Sequence, residues 1–207
     1  MNNITLEQSL QSAQNLLADF LASNDVNSSL LTSFGNGFNL DTGISLLESI
    51  ATGETALPIT VVDSAVINNA NGAYAGNTST IYLASELIAT GDVDTVTKTL
   101  LEEIGHFVDA NVNSSDAAGD EGAIFASFVL GRDLSSQQLE LLQAEDDTAT
   151  VSIDGETTLI EQDATIFVDR DADYLTYKIN NKQQQQWFIF FTLTKVTITQ
   201  KFSLLNE

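Results

Sequence analysis

Apolar residues return every three to four positions at the start of the chain, at Leu6, Leu10, Leu17 and Leu21, and Thr5 and Gln8 have capping-box spacing. This pattern predicts an amphipathic helix over 5–23. A second, shorter helix is expected after Asp41, with Ile44, Leu47 and Ile50 on one face and a stop at Gly53. The period then changes. Leu57-Pro-Ile-Thr-Val-Val62 and Thr80-Ile-Tyr-Leu83 read as strands, with a turn at Asn71-Gly72 between them. A helical period resumes from Asp94, a candidate cap, to about Val112. Further helices are expected after Gly119-Asp120 and from the Ser135-x-x-Gln138 capping box. Asp154-Gly155, set between Thr150–Ile153 and Thr157–Ile160, is a strong hairpin signal. This order of elements predicts an α+β fold: helices packed on a small mixed sheet, followed by a β-rich C-terminal segment.

The last stretch changes character. Residues 1–169 hold 26 acidic and 2 basic residues, whereas residues 170–207 hold 3 acidic and 5 basic. Four glutamines, Gln183 to Gln186, precede a threonine- and aromatic-rich run ending at Phe202. Three regions are therefore expected: an α+β domain over 1–147, a β-hairpin region over 148–169, and an appended polar and aromatic β-prone tail over 170–207. The boundary of the appendage is placed between about Arg170 and Lys182.

Composition narrows the choice of partners. The formal charge of -22, from 29 acidic and 7 basic residues, repels nucleic acid phosphates and anionic membranes, so neither is expected as a partner. It attracts divalent cations, calcium above all, because calcium prefers carboxylate and carbonyl oxygens. The absence of cysteine removes disulfides and thiolate-ligated zinc together. No apolar run approaches the length of a membrane span. The first twenty residues lack a basic n-region and read as a helix rather than a signal peptide. Any export is thus expected by a route without a cleaved N-terminal signal, and a cytoplasmic protein fits as well.

Candidate chemistry is concentrated between Leu100 and Gly131. On one helix, Glu102, His106 and Asp109 stand at i, i+4 and i+7 and share a face, with Glu103 at its border. The apolar residues Val96, Leu100, Ile104, Phe107 and Val108 occupy the other side. This is the spacing of the zinc peptidase helix, where two histidines four apart bind zinc and the intervening glutamate activates the metal-bound water. Here Glu102 stands in place of the first histidine, and His106 is the only histidine in the chain. One imidazole with oxygens suits zinc less well and shifts the preference towards manganese or calcium. Asp120 is placed as the N-cap of the following helix, with Glu121 in its first turn. In one group of zinc peptidases a glutamate from that helix supplies the third ligand. The candidate metal ligands are therefore Glu102, His106 and Glu121, with Asp109 and Asp120 behind them, and Glu103 is the candidate general base. A strand such as Thr80–Leu83 pairs with the extended peptide or protein substrate in zinc peptidases, although an ordinary sheet strand is the simpler reading. Asp169, Asp171 and Asp173 alternate like the opening of a calcium loop, without the glycine and closing glutamate of an EF-hand.

Several of these pieces together resemble a domain of cyanobacterial proteins of the hemolysin-type calcium-binding (RTX-related) class. They are Gly72-Ala-Tyr, Thr80-Ile-Tyr-Leu, Leu101-Glu-Glu-Ile-Gly-His, Asp109-Ala, Gly119-Asp-Glu-Gly-Ala-Ile-Phe-Ala and Ala144-Glu-Asp-Asp. The resemblance implies a secreted or surface protein, often joined to calcium-binding repeats, in which Glu-Glu-Ile-Gly-His is the usual form. The repeats themselves are not found in this chain. Three readings follow. The first is a metal-dependent peptidase-like (hydrolase) domain holding zinc or manganese. The second is a non-catalytic secreted module with a calcium or other oxygen-ligated site. In the third, His106 is hydrogen-bonded to Glu102 or Glu103 and the acids are solvated helix faces.

Overall fold

The computed structural model describes residues 2–115, 117–162, 166–167, 174–177, 187–192 and 195–200. The chain divides into two compact units, Met1–Asp163 and Ala164–Glu207. The division falls ahead of the change in composition at Arg170. Among the described residues, no helix is long and apolar enough to cross a membrane.

The first unit is α+β: helices on one mixed, five-stranded sheet. Its helices are α1 (Asn2–Leu21), α2 (Val26–Phe34), α3 (Leu40–Ala51), α4 (Ser85–Ala89), α5 (Val93–Val112), α6 (Glu121–Val129) and α7 (Ser136–Gln143). The strands are β1 (Ile59–Val62), β2 (Gly72–Ala75), β3 (Thr80–Ala84), β4 (Thr148–Ile153) and β5 (Glu156–Gln162), in the order β1-β3-β2-β5-β4. β1 runs parallel to β3, and every other pairing is antiparallel. α5 lies at the centre, packed on α1 and α6 and against β2 and β3. Leu100, Leu101, Ile104 and Val108 are wholly buried on it. Each such side chain contributes roughly 1.5–3 kcal/mol by leaving water. Phe125 of α6 sits between Phe20 of α1 at 5.8 Å, edge-on, and Phe34 of α2 at 5.5 Å. Tyr74 and Phe107 meet edge-on at 6.0 Å and join the sheet to α5.

Local chemistry accounts for the element ends, and corrects two of those expected. α1 already runs through Thr5, which is buried within the helix and does not cap it. α5 is capped by Asp92, whose carboxylate accepts from the backbone N–H groups of Asp94 and Thr95, so Asp94 lies inside the first turn. The Ser135–Gln138 capping box forms with both of its reciprocal bonds. Asp154 and Gly155 both adopt positive φ, 53° and 84°, as the two-residue turn between β4 and β5 demands. Gly72 opens β2 rather than forming only a turn.

The second unit is a four-stranded antiparallel sheet, β6 (Ile166–Phe167), β7 (Tyr174–Tyr177), β8 (Trp187–Thr192) and β9 (Lys195–Gln200), in chain order. Asp169, Asp171 and Asp173, and the glutamine run Gln183–Gln186, lie outside the described residues.

Candidate metal centre

α5 carries part of its polar face into the protein interior. Glu103 and His106 are 0% exposed. The acids that meet them from elsewhere are also enclosed: Asp120 is 0%, Glu121 1% and Asp147 5% exposed. The reading that left these carboxylates as solvated helix faces, with His106 bonded to Glu102 or Glu103, is thereby corrected. The hydrogen bond of His106 runs to Glu121 instead.

Glycines bring the elements close enough for this. A Cβ on Gly105 of α5 would stand 2.7 Å from the Cα of Gly122 on α6, so the two helices cross almost backbone to backbone. A Cβ on Gly122 would stand 2.5 Å from His106 Nε2. Gly119, at φ +89°, lies so close to the backbone of Leu142 and Gln143 that no side chain fits. There the N–H of Asp120 donates to the Leu142 carbonyl at 2.9 Å, and Asp120 caps α6 by accepting from Ala123 N–H at 2.7 Å. The loop after α7 then delivers Asp147, and β5 delivers Glu161.

The two ring nitrogens of His106 have different surroundings. Nδ1 lies 2.8 Å from Glu121 Oε1 and 3.3 Å from Glu161 Oε2. A carboxylate only accepts, so the Nδ1–H donates to Glu121. Nε2 lies 3.7 Å from Asp147 Oδ2 and 4.0 Å from Asp120 Oδ1, beyond hydrogen-bonding reach of either. Nε2, Asp120 Oδ2, Asp147 Oδ2 and Glu145 Oε2 are buried without a hydrogen-bond partner. Leaving such groups unsatisfied costs on the order of 1–3 kcal/mol each, more when charged. Glu102, His106 and Asp120 each bring a donor atom within 4.8 Å of the other two, and so do His106, Glu121 and Asp147.

Electrostatics follows from this crowding. Burial depresses the basicity of His106, but the hydrogen bond and charge of Glu121, reinforced by Glu161 and Glu103, more than reverse it, and its pKa stands well above the ordinary 6.5. Burial holds Asp120 well above the usual carboxylate range. It also lifts Asp147 to about 7, where the charge of His106 opposes it and those of Glu121 and Glu161 add to it. Glu145 rises to about 7 through burial alone.

Of the residues singled out in the sequence, Glu102, His106, Glu121 and Asp120 come together. Glu103 is buried close by, against Gly72 of β2, where a Cβ would stand 2.5 Å from its Oε1. Asp109 belongs to a different structure: its carboxylate accepts from Asn113 Nδ2 and from the N–H of Ala117, closing the loop after α5. Asp147 and Glu161 were not anticipated. The run Ala144-Glu-Asp-Asp was distinctive enough to notice, and its acids were the available signal. Glu161 offered none, because its place beside His106 depends on the pairing of β5 with β2. The strand at Thr80–Leu83 is the ordinary sheet strand, paired on both sides by β1 and β2 and closed to a substrate strand.

The donor set fits a divalent cation. Two ligands each about 2.1 Å from one ion lie roughly 3.0 Å apart at a right angle and ~4.2 Å apart when opposed. The separations of Nε2 from Asp147 and Asp120 fall inside that range. One imidazole among carboxylates is a donor set that divalent cations take. The chain matches no protein-family model, no curated protein and no solved structure.

Proposed function

We propose that the first unit is a divalent-cation-binding module. Its ion is held at Nε2 of His106 with carboxylates of Glu102, Asp120 and Asp147, and Glu121 orients the ring by accepting the Nδ1 proton. The carboxylate–histidine pair is the usual outer support of a metal-ligating imidazole, where it fixes the tautomer and raises the basicity of the other nitrogen. One observation carries the reading: a fully buried Nε2 without a hydrogen-bond partner, facing two carboxylates at distances too long for hydrogen bonds and right for a shared ion. Enclosure of His106, Asp120, Glu121 and Asp147, with Glu102 half-buried, supports a held ion rather than one that exchanges ligands with a substrate. The module is thus closer to the non-catalytic alternative than to a peptidase. Placement outside the cell belongs to the RTX-related resemblance and is proposed on that basis alone.

The test is metal content of the purified protein by mass spectrometry, together with calorimetric titration of MnCl2, ZnCl2 and CaCl2. About one ion per chain is expected, with Mn2+ preferred, and His106→Ala should abolish it. Absence of binding for all three ions at millimolar concentration would overturn the reading.

A second reading, a metal-dependent peptidase, is favoured by Glu103, which follows Glu102 on the helix and whose charge is felt at His106. In it Glu103 takes a proton from the attacking water. Glu103→Gln should then lose turnover on peptide substrates while still binding Mn2+. Equal turnover in that variant refutes the role.

A further inference from the structure

Resting on the cation reading above, we infer that the β4–β5 hairpin is a cation-controlled latch, docked on the α5–α6 pair through carboxylates at both of its feet. Asp147 immediately precedes β4, and Glu161 lies near the end of β5, opposite Thr148 in the hairpin register. The two acids reach opposite sides of one ring, Asp147 at Nε2 and Glu161 at Nδ1.

The hairpin's other attachments are short. β5 pairs with β2 at two positions only, Ala73↔Gln162 and Tyr74↔Glu161, whereas β4 and β5 pair with each other over six. A side-chain bond from Asn68 Nδ2 to Gln162 Oε1, 3.1 Å, adds to the same foot. Apolar anchoring comes from Ile160, which is buried, and from Ala149, Val151 and Ile153 of β4, half-buried against the core, while Leu159 is 60% exposed. Towards the turn, the hairpin has no strand partner beyond its own two strands among the described residues.

The ion supplies the bond across this contact. Without it, Asp147 on the hairpin side and Asp120 on the helix side stand 3.7 and 4.0 Å from His106 Nε2, too far to hydrogen-bond to it. With an ion at Nε2, Asp147 becomes one of the ligands that bind the hairpin to α5 and α6. The ion is thus expected to govern how often the hairpin opens, apart from its effect on the helical core.

Hydrogen exchange of the full chain, followed by mass spectrometry with and without saturating MnCl2, tests this. Exchange of the amides of Thr148–Gln162 should slow at least tenfold on Mn2+ addition, with little change in α1–α3. Asp147→Asn should bind Mn2+ more weakly and show no hairpin slowing at saturation. Calorimetric binding with unchanged hairpin exchange, or with uniform slowing across the unit, overturns the latch and leaves the cation site standing. Full hairpin slowing in Asp147→Asn overturns it as well. No binding of Mn2+, Zn2+ or Ca2+ overturns both.

Discussion

Raising the pH from 5 to 8 should destabilise the cation-free first unit and, with Mn2+ present, stabilise it. Asp147 has a folded pKa of about 7 against an ordinary 3.8, and that of Glu145 is about 7 against 4.5. An acid whose folded pKa is raised contributes stability that is fully present below its unfolded pKa and is lost as pH rises through the folded one. His106, raised well above 6.5, acts in the same sense: its contribution is complete below 6.5 and disappears as pH climbs through its folded value. At about 1.4 kcal/mol per pH unit, the interval from 3.8 to about 7 gives a ceiling of roughly 4 kcal/mol for Asp147 alone. The three groups share one field and do not add, so about 2–4 kcal/mol between pH 5 and pH 8 is the expected net loss. For a unit of this size that corresponds to a fall in Tm of roughly 5–12 °C. The lowered carboxylates, Glu86, Asp92 and Asp146, lose their contribution only as pH falls through values below this window, and so do not mask the trend. Mn2+ competes with the same protons, so its stabilising effect should grow across the window. The assay is calorimetric melting in EDTA and in excess MnCl2 at pH 5, 6, 7 and 8. A cation-free Tm that is flat or rises with pH would refute the burial argument. A Mn2+ shift independent of pH would refute competition at these carboxylates.

Three further outcomes follow from packing. Gly122→Ala places a Cβ 2.5 Å from His106 Nε2, so it should cost about 1–3 kcal/mol by denaturant melting and weaken Mn2+ binding at least tenfold in calorimetry. Gly37→Ala, with nothing within 4 Å, should leave both within error. Phe125→Ala removes the ring between Phe20 and Phe34 and should cost roughly 3–5 kcal/mol in denaturant melting.

Much of the fold was legible where a local signal and tertiary need agreed. The Asp154-Gly155 turn, the Ser135 capping box and the Asp120 cap each depend on bonds within a few residues, and each formed as expected. α2 and α4 escaped notice because they are short, and their place is set by packing: α2 on α6, α4 on α1 and β3. For the site, helical spacing placed Glu102 with His106, and the order of helices brought Glu121 to the same ring. It could not tell which nitrogen each acid would meet. That depends on the Gly105–Gly122 crossing, a distance between helices that no periodicity encodes. Nor could it tell that the polar face would be covered, since the cover is the loop after α7 and a strand distant in sequence.

That cover has a kinetic consequence. The crossing of α5 with α6 joins neighbouring stretches of chain and can form early, whereas Asp147 and Glu161 arrive only after everything from Glu102 onward has folded back on itself. An ion that needs the complete set is a late guest, with little to hold in the transition state for folding. Its binding energy then acts mainly on the unfolding barrier. The metal would lengthen the lifetime of the native state without hastening its formation, and removal of the ion would shorten that lifetime while the fold itself remained intact.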